Sequence, residues 1–361
     1  MPRWQIVADQ QILGLDCYFN DPAFDLIQLP ASAITSAQLR HTDVLIVRSV
    51  LPVNATLLAN SNVRFVATAT SGSDHLDKAW LANQHISWYA AVGCNANAVA
   101  EYVLCSIAAL RQQQLLVGNG LTAVVVGVGQ VGQRVATHLQ MLGFTVLLHD
   151  PPRAKIEPDF ISTSWADLIQ ADLICLHTPL TSANNPYPTY HLIDQTFLTK
   201  LKPGCVLLNA GRGAVVDTQA LLTSGNHIHL CLDVYEHEPA IDLAVMQQAT
   251  LCTPHIAGHA ITAKWRASHM VYQAIMNWLG QPMQMTTPTY PQPAVTVDPQ
   301  LFSCWEDFVL ACYDPRQDMQ RMRTSIEHAG DVGQAFTQLR NQYPPRFEFE
   351  SRWHQVNKQK F

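Results

Sequence analysis

This chain has few charged residues and no run of basic ones. Asp, Glu, Lys and Arg together make up 14% of its 361 residues, and the formal net charge is −6. A mildly acidic chain without a basic cluster is a poor match for nucleic acid or for an anionic membrane surface. The sequence also lacks an apolar N-terminal segment that would direct export, and no apolar run approaches the ~20 residues of a membrane helix. We therefore expect a cytoplasmic protein that binds small molecules.

Cysteine pairs at metal-binding or redox spacing are missing as well. The nine cysteines form no C-x-x-C pair, and several lie inside apolar runs. An odd number of cysteines in a chain without an export signal is typical of reduced thiols. Histidine is abundant, at 15 residues, but no Cys/His cluster has convincing metal-ligand spacing. We predict no metal site.

A glycine-spaced segment, Gly127-Val128-Gly129-Gln130-Val131-Gly132, follows an apolar run and opens a stretch with helical spacing. The first glycine permits a tight turn, the second lets the backbone approach a pyrophosphate, and the third lets the helix pack closely on the strand. Asp150 ends the next apolar run, where a carboxylate would accept hydrogen bonds from ribose hydroxyls. Glycine turns also occur for conformational reasons alone. The strand and helix on either side favour a dinucleotide site.

The apolar runs of the first hundred residues are separated by segments of helix length, which predicts a small parallel α/β domain. They cover residues 6–8, 26–29, 44–47, 64–67 and 86–89. A helix over residues 98–114, with Asn97 as its N-cap, would lead out of this domain. Six further strand candidates lie between residues 123 and 252, as many as a doubly wound nucleotide-binding fold has.

A helix over residues 262–279 would return the chain to the first domain. Five prolines then fall within residues 281–300, which reads as a stiff linker. Residues 301–361 again show helical spacing of apolar residues, but they are too few to bury enough apolar surface for a stable core of their own. We expect this tail to pack its apolar residues on the body or on a partner subunit; they are Phe302, Trp305, Phe308, Val309, Phe336 and Leu339.

Three polar segments follow the last strand candidates, and they contain Arg212, Glu238 and His255. Ligands of open parallel sheets bind beyond the carboxyl ends of the strands, so these side chains can meet at one edge. His255 would take a hydroxyl proton during hydride transfer, Glu238 would orient the imidazole, and Arg212 would grip a substrate carboxylate. Each residue taken alone also has a simpler interpretation. Arg212 could be a cation in a surface turn, Glu238 a solvated acid in a loop, and His255 a packed histidine in a loop.

These segments resemble the D-isomer-specific 2-hydroxyacid dehydrogenases at residues 209–217, 233–239 and 253–258. The resemblance implies a Rossmann-type doubly wound NAD-binding domain (98–258), a flavodoxin-like α/β substrate domain (1–97 and 259–285), and a linker with a small α+β C-terminal dimerisation domain (286–361). NAD is the implied cofactor and a homodimer the implied assembly.

Residue by residue, the resemblance makes Arg212, Glu238 and His255 the active-site residues, with Glu238 as a proton donor. It gives the glycine segment to NAD together with Asp150, Thr178, Asp233 and Gly258, and it places Ser49 and Thr70 at substrate-binding positions. After Gly258 the family has a tyrosine that touches substrate, and this chain has His259. A histidine can still donate a hydrogen bond, but its reach differs.

Finer matches, including residues 47–50, 67–75, 93–96 and 313–316, resemble those family members that oxidise 4-phospho-D-erythronate in pyridoxal phosphate biosynthesis. Another 2-hydroxyacid dehydrogenase, acting on phosphoglycerate or glycerate, is the alternative. An NAD(H)-sensing corepressor-like protein is a third and less favoured interpretation. The substrate phosphate needs cations, and we hypothesise that Arg340 or Arg346 of the tail reaches a partner subunit to supply one. Both arginines could equally lie on a solvated face.

Overall fold

The computed structural model describes residues 3–282, 290–293, 296–349 and 353. Contacts divide the chain into two compact units, one of Met1–Asn95 with Ala260–Pro293 and one of Ala96–His259 with Ala294–Phe361. The tail therefore belongs to the second unit. Within the described ranges no helix is both long and apolar enough to span a bilayer.

The first unit is built on a parallel sheet. Its strands are β1 (Trp4–Asp9), β2 (Phe24–Leu29), β3 (Val44–Val47), β4 (Phe65–Thr68) and β5 (Ser87–Ala90), and its helices are α1 (Leu15–Tyr18), α2 (Ala55–Leu58), α3 (Lys78–Asn83) and, from the far end of the chain, α10 (Ile261–Leu279). The strand order is β2-β1-β3-β4-β5. This is the flavodoxin-like order that the resemblance implies. The chain adds β2 on one side of β1 and β3 to β5 on the other, so the order in which strands are added changes direction between β1 and β3.

The second unit contains a six-stranded parallel sheet in the order β11-β10-β9-β8-β6-β7. Its strands are β6 (Thr122–Val126), β7 (Thr145–His149), β8 (Leu173–Leu176), β9 (Val206–Asn209), β10 (His229–Leu232) and β11 (Leu251–Cys252). Its helices are α4 (Ala96–Gln112), α5 (Gln130–Met141), α6 (Pro151–Ile156), α7 (Gln195–Leu198), α8 (Thr218–Ser224), α9 (Leu243–Gln248), α11 (Trp305–Cys312), α12 (Pro315–Glu327) and α13 (Val332–Asn341). The predicted doubly wound fold is confirmed.

Sequence patterning explains most of these elements. β3, β4, β8 and β9 are buried along their whole length, which is why they read as unbroken apolar runs and not as alternating ones. Aspartate or asparagine side chains accept a backbone N–H at the start of many helices, as Asp150 does for α6 and Asp217 for α8. Such caps satisfy N–H groups that have no partner inside the helix.

Two expectations differ from the structure. The N-cap assigned to Asn97 is wrong, because α4 already begins at Ala96 and the Asn97 Oδ1 instead accepts a hydrogen bond from the Arg134 Nε at 2.6 Å. The tail was expected to be α+β, whereas its described residues form the helices α11 to α13 and show no strand. In the proline-rich stretch, residues 290–293 and 296–298 have no regular structure; residues 283–289 and 294–295 lie outside the described ranges.

The tail packs closely on its own chain. Phe308, Val309 and Phe336 are fully buried, and α11 packs against α4. These apolar positions are therefore covered without a partner subunit.

Candidate active site

The glycine loop connects β6 to α5 with an open backbone face. Gly127 has φ +86°, and a Cβ there would lie 2.8 Å from the Thr178 backbone N. A Cβ on Gly132 would overlap the Gly127 carbonyl oxygen, whereas one on Gly129 would meet nothing within 4 Å. The loop thus has no room for a side chain at Gly127 or Gly132, whereas the space around Gly129 is open. This cradle fits a pyrophosphate lying against the start of α5, with Gln130 and Val131 in its first turn.

Asp150 is held at the end of β7 by the same loop. Its Oδ2 accepts the Val128 N–H at 2.8 Å, and its Oδ1 accepts the Arg153 N–H at 3.0 Å. Each carboxylate oxygen keeps a second lone pair for a ligand hydroxyl. Arg153 is itself occupied, because it binds Glu157 at 2.7 Å and the Val128 carbonyl at 2.9 Å. A carboxylate at this place favours ribose hydroxyls over a ribose phosphate.

Unpartnered polar atoms lie opposite the loop, directly after β8. The Thr178 hydroxyl is buried and has no hydrogen-bond partner among the described residues, and neither has either ring nitrogen of His177. Burial lowers the pKa of His177 from 6.5 to about 4, so this imidazole is neutral at physiological pH. A buried hydroxyl without a partner is costly, which supports a hydrogen bond from Thr178 to a bound cofactor. The sequence drew no attention to His177.

Glu238 and His255 form the central pair of the site. The His255 Nδ1 lies 2.7 Å from the Glu238 Oε2, and the Glu238 Oε1 accepts the Tyr235 N–H at 2.9 Å. The His255 side chain is 34% exposed, and its Nε2 has no partner in the described part of the chain. His255 also adopts a left-handed backbone conformation (φ 55°), a region that costs energy for a residue other than glycine.

Electrostatics keep Glu238 ionised. Burial works to raise its pKa, but the charge and hydrogen bond of His255, the Tyr235 N–H and the charge of Arg340 together lower it below its usual value. A carboxylate that is ionised at neutral pH accepts the His255 Nδ1–H and fixes the tautomer in which Nε2 carries no proton. This state fits the orienting role of Glu238 better than the role of proton donor that the resemblance implied.

Asp233 supports the loop that carries His255. Its carboxylate accepts hydrogen bonds from the Thr253 hydroxyl at 2.7 Å and from the N–H groups of Ile256 and Ala257 at 2.8 and 2.9 Å. Its backbone carbonyl also accepts the His255 N–H at 2.7 Å. Burial raises the pKa of Asp233, and these bonds and the charge of His255 oppose that rise. In the structure Asp233 shapes the loop; its assignment to NAD stays a prediction.

Arg212 lies in the turn after β9. The Asn209 side chain braces this turn, donating to the Arg212 carbonyl at 2.9 Å and accepting the Gly211 N–H at 3.1 Å. A Cβ on Gly213 would overlap the Tyr235 carbonyl, so the turn packs directly against the segment that leads to Glu238. The Arg212 turn is therefore packed against the segment that leads to Glu238 and is not an isolated surface turn.

Sequence reasoning missed a second acid and histidine pair beside these loops. The His191 Nε2 lies 2.6 Å from the Glu236 Oε1 and its Nδ1 lies 3.7 Å from the Asp217 Oδ2, while the Glu236 Oε2 accepts the Thr218 N–H at 3.1 Å. The three side chains have the composition of a small metal site. Their existing bonds already satisfy them, so the simpler interpretation is a brace between loops, and the absence of a metal stays a prediction. No sequence signal joins residues so far apart in the chain.

The predicted substrate residues of the first unit lie beyond the carboxyl ends of its strands. Ser49 follows β3 by two residues. The Thr70 hydroxyl donates to the Gly72 carbonyl at 2.8 Å and lies 2.7 Å from the Thr68 hydroxyl. In the second unit, Gly258 precedes His259, whose ring meets Tyr343 of the tail edge-on at 5.8 Å. The residue that replaces the family tyrosine therefore contacts the tail.

Arg346 and Arg340 are the two tail residues for which a phosphate contact was hypothesised. Arg346 is 8% exposed; its Nη2 donates to the carbonyls of Ala98 and Ala257, and its guanidinium lies 4.4 Å from the Tyr313 ring centre. The hypothesis that Arg346 reaches a partner or a solvated face is wrong, because it is buried in its own chain. Arg340 is close enough to Glu238 of the same chain to lower the pKa of that carboxyl.

A Rossmann sheet, a bare glycine loop and an acid and histidine pair on adjacent loops define an NAD-dependent dehydrogenase. Residues 107–257 match the model of the D-isomer specific 2-hydroxyacid dehydrogenase NAD binding domain. The chain is 43% identical over 349 residues to the erythronate-4-phosphate dehydrogenase of Coxiella burnetii (strain RSA 331 / Henzerling II), covering 96% of this chain and 94% of that protein.

It is 42% identical to the enzyme of the same name from Legionella pneumophila strain Philadelphia 1, covering 95% of each chain. The NAD complex of a formate dehydrogenase from Staphylococcus aureus shares the fold, with a TM-score of 0.63 at 23% identity over 78% of this chain and 97% of that one. The chain therefore belongs to the D-isomer-specific 2-hydroxyacid dehydrogenase family, among the erythronate-4-phosphate dehydrogenases. It is an oxidoreductase, and its cofactor is NAD.

Proposed function

We propose that the protein oxidises 4-phospho-D-erythronate with NAD+ to (R)-3-hydroxy-2-oxo-4-phosphooxybutanoate and NADH, a step of pyridoxal 5′-phosphate biosynthesis. The observation that carries the reaction type is the Glu238 and His255 pair, with its 2.7 Å bond and its open Nε2. The substrate comes from the relatives, which share about 40% identity across nearly the whole chain.

The residues divide the reaction between them. When held by the glycine segment and Asp150, NAD+ would supply the acceptor for the hydride at C2 of the substrate. His255 takes the proton of the C2 hydroxyl at Nε2, and Glu238 stabilises the imidazolium that results. Arg212 binds the substrate carboxylate and polarises the forming carbonyl, because a guanidinium presents paired donors to planar oxygens. Ser49, Thr70 and His259 are the proposed further contacts to substrate.

The cofactor residues follow from the loop geometry. The glycine segment receives the pyrophosphate, the Asp150 carboxylate receives the ribose hydroxyls, and the Thr178 hydroxyl gains the partner that it lacks. Asp233 and Gly258 complete the proposed NAD site on the loop of His255.

Assembly and location are further proposals. We retain a homodimer, which the family resemblance implies, although the buried tail positions do not require it. Light scattering of the full chain decides between dimer and monomer. A cytoplasmic location is supported by the six cysteines that are buried as free thiols, since buried reduced thiols suit a reducing compartment.

A substrate panel tests the function. NADH formation is measured with 4-phosphoerythronate, 3-phosphoglycerate, glycerate and lactate under identical conditions. We expect the highest kcat/KM with 4-phosphoerythronate. A preference for 3-phosphoglycerate or glycerate would identify a different 2-hydroxyacid dehydrogenase, and NADH binding without turnover of any of the four would favour the corepressor-like interpretation.

A further inference from the structure

The first unit contains an ion pair at the point where its sheet order reverses. Asp9 ends β1, Arg48 follows β3, and the Arg48 Nε donates to the Asp9 Oδ2 at 2.8 Å. The Asp9 side chain is 1% exposed, and its other oxygen accepts the Gln11 N–H at 2.9 Å. Arg48 thus neutralises the charge of a buried carboxylate, both of whose oxygens already accept a hydrogen bond.

Helix α10 brings a second cation to this edge of the sheet. A Cβ on Gly14, in the loop after β1, would overlap the ring of Trp265 near the start of α10. At the other end of the helix, Trp278 meets Trp4 at the start of β1, with 5.8 Å between ring centres. The helix therefore runs antiparallel to β1, and its first turn, with Lys264, lies near the carboxyl ends of the strands.

Lys264 has no counter-ion among the residues that the structure describes. In the described ranges its ammonium forms neither an ion pair nor a hydrogen bond, although the residue is half-buried. Burial, and then the positive charge of Arg48, lower the pKa of Lys264. The Lys264 and Arg48 cations are therefore near enough to oppose each other in a partly desolvated place, which is unfavourable unless an anion joins them.

The topology points to the same place. In open parallel sheets ligands bind beyond the carboxyl ends of the strands, where the strand order reverses, and here that point lies between β1 and β3. Ser49 stands next to Arg48 and offers a hydroxyl. Ala260 caps α10 without a side-chain bond, so the N–H groups of its first turn add further donors.

We propose that Lys264 and Arg48 bind the phosphate group of the substrate, and that Lys264 selects phosphorylated over unphosphorylated 2-hydroxy acids. The proposal rests on the proposed function for the identity of the substrate. A phosphate dianion can accept charge-assisted hydrogen bonds from both side chains at once, and it neutralises the charge excess that the protein alone leaves.

The first test compares kcat/KM for 4-phosphoerythronate and for erythronate. In Lys264→Gln we expect a loss of about 10- to 100-fold with the phosphorylated substrate, the usual range for one charged hydrogen bond, and little change with erythronate. Lys264→Arg should keep most of the preference. Lys78→Gln, which removes an exposed lysine of the same unit, is the matched control and should behave as wild type. An equal loss on both substrates would overturn the proposal.

Direct binding separates this proposal from the proposed function. Calorimetric titration of inorganic phosphate should show binding to the wild type and to Lys78→Gln, and at least a tenfold weaker affinity for Lys264→Gln and Lys264→Met. This result would support the site even if 4-phosphoerythronate were not a substrate. The same phosphate affinity in wild type and Lys264→Met would overturn it whatever the activity. Because Lys264→Met removes an unpaired cation and keeps the apolar stem, we expect its Tm to match or exceed that of the wild type.

Discussion

Replacing Glu238 with glutamine should disable the base while leaving the fold in place. The Tyr235 N–H, 2.9 Å from one carboxylate oxygen, will bind the oxygen of the amide that replaces it. The amide NH2 is then directed at the His255 Nδ1, which now lies 2.7 Å from the other oxygen. An NH2 group can only donate, so Nδ1 must accept and the ring proton moves to Nε2. The imidazole is then in the wrong tautomer to take a proton from the substrate.

The size of the effect follows from the role of the pair. Loss of general-base catalysis costs on the order of 10²- to 10⁴-fold in kcat, or about 3–5 kcal/mol of transition-state stabilisation. The KM for NAD+ should change little, because Glu238 contacts the His255 and Tyr235 loops and not the glycine loop.

The assay is steady-state NADH formation with 4-phosphoerythronate, together with NADH binding by fluorescence as the check on folding. Glu327→Gln, an exposed carboxylate on α12, is the matched control and should be indistinguishable from wild type. If Glu238→Gln keeps kcat within threefold of wild type while binding NADH normally, the tautomer role assigned to Glu238 is refuted.

Three further results are expected. Arg212→Gln should raise the KM for substrate and lower kcat, because the carboxylate contact exists in the ground state and tightens at the transition state; an unchanged KM in steady-state kinetics would count against the clamp. Asp150→Asn should lower kcat/KM with NAD+ more than with NADP+, and equal losses would remove the ribose assignment. The pKa of His177 is about 4 in the folded protein and 6.5 in the unfolded chain. As the pH falls from 6.5 towards 4, the unfolded chain therefore binds a proton at His177 that the folded protein does not, and the free energy of unfolding decreases. Between pH 7.5 and 5 the wild type should lose at most about 2 kcal/mol relative to His177→Gln in urea unfolding, and parallel losses would show that His177 does not titrate this way.

The active-site loops illustrate how far local sequence reaches. The glycine segment and the apolar runs around it predict β6, α5 and β7 because turn chemistry and hydrophobic periodicity act over a few residues. The positions of Arg212, Glu238 and His255 follow by the same logic, since each stands just after a predicted strand of a parallel sheet. Their bonding does not follow: only the folded chain shows that Glu238 holds the Nδ1 of His255 and leaves Nε2 open.

Residues whose partners lie far along the chain were misjudged or missed. Arg346 reads as a surface cation in sequence, but its guanidinium binds the Ala98 carbonyl 248 positions away. The brace of His191 and Glu236 and the pairing of Asp9 with Arg48 likewise join separate loops. Such contacts depend on how whole elements pack, which no local pattern encodes.

The sequence by itself determined the two parallel α/β sheets, the dinucleotide loop and the family, because strand burial, glycine turns and loop motifs are local or are shared with relatives. Tertiary structure alone decided which polar groups are satisfied and which are left without a partner. The Lys264 ammonium has no distinguishing pattern in sequence, and only the family resemblance points to Thr178. Folding adds the physical reason for both, because burial removes water that would otherwise bind them.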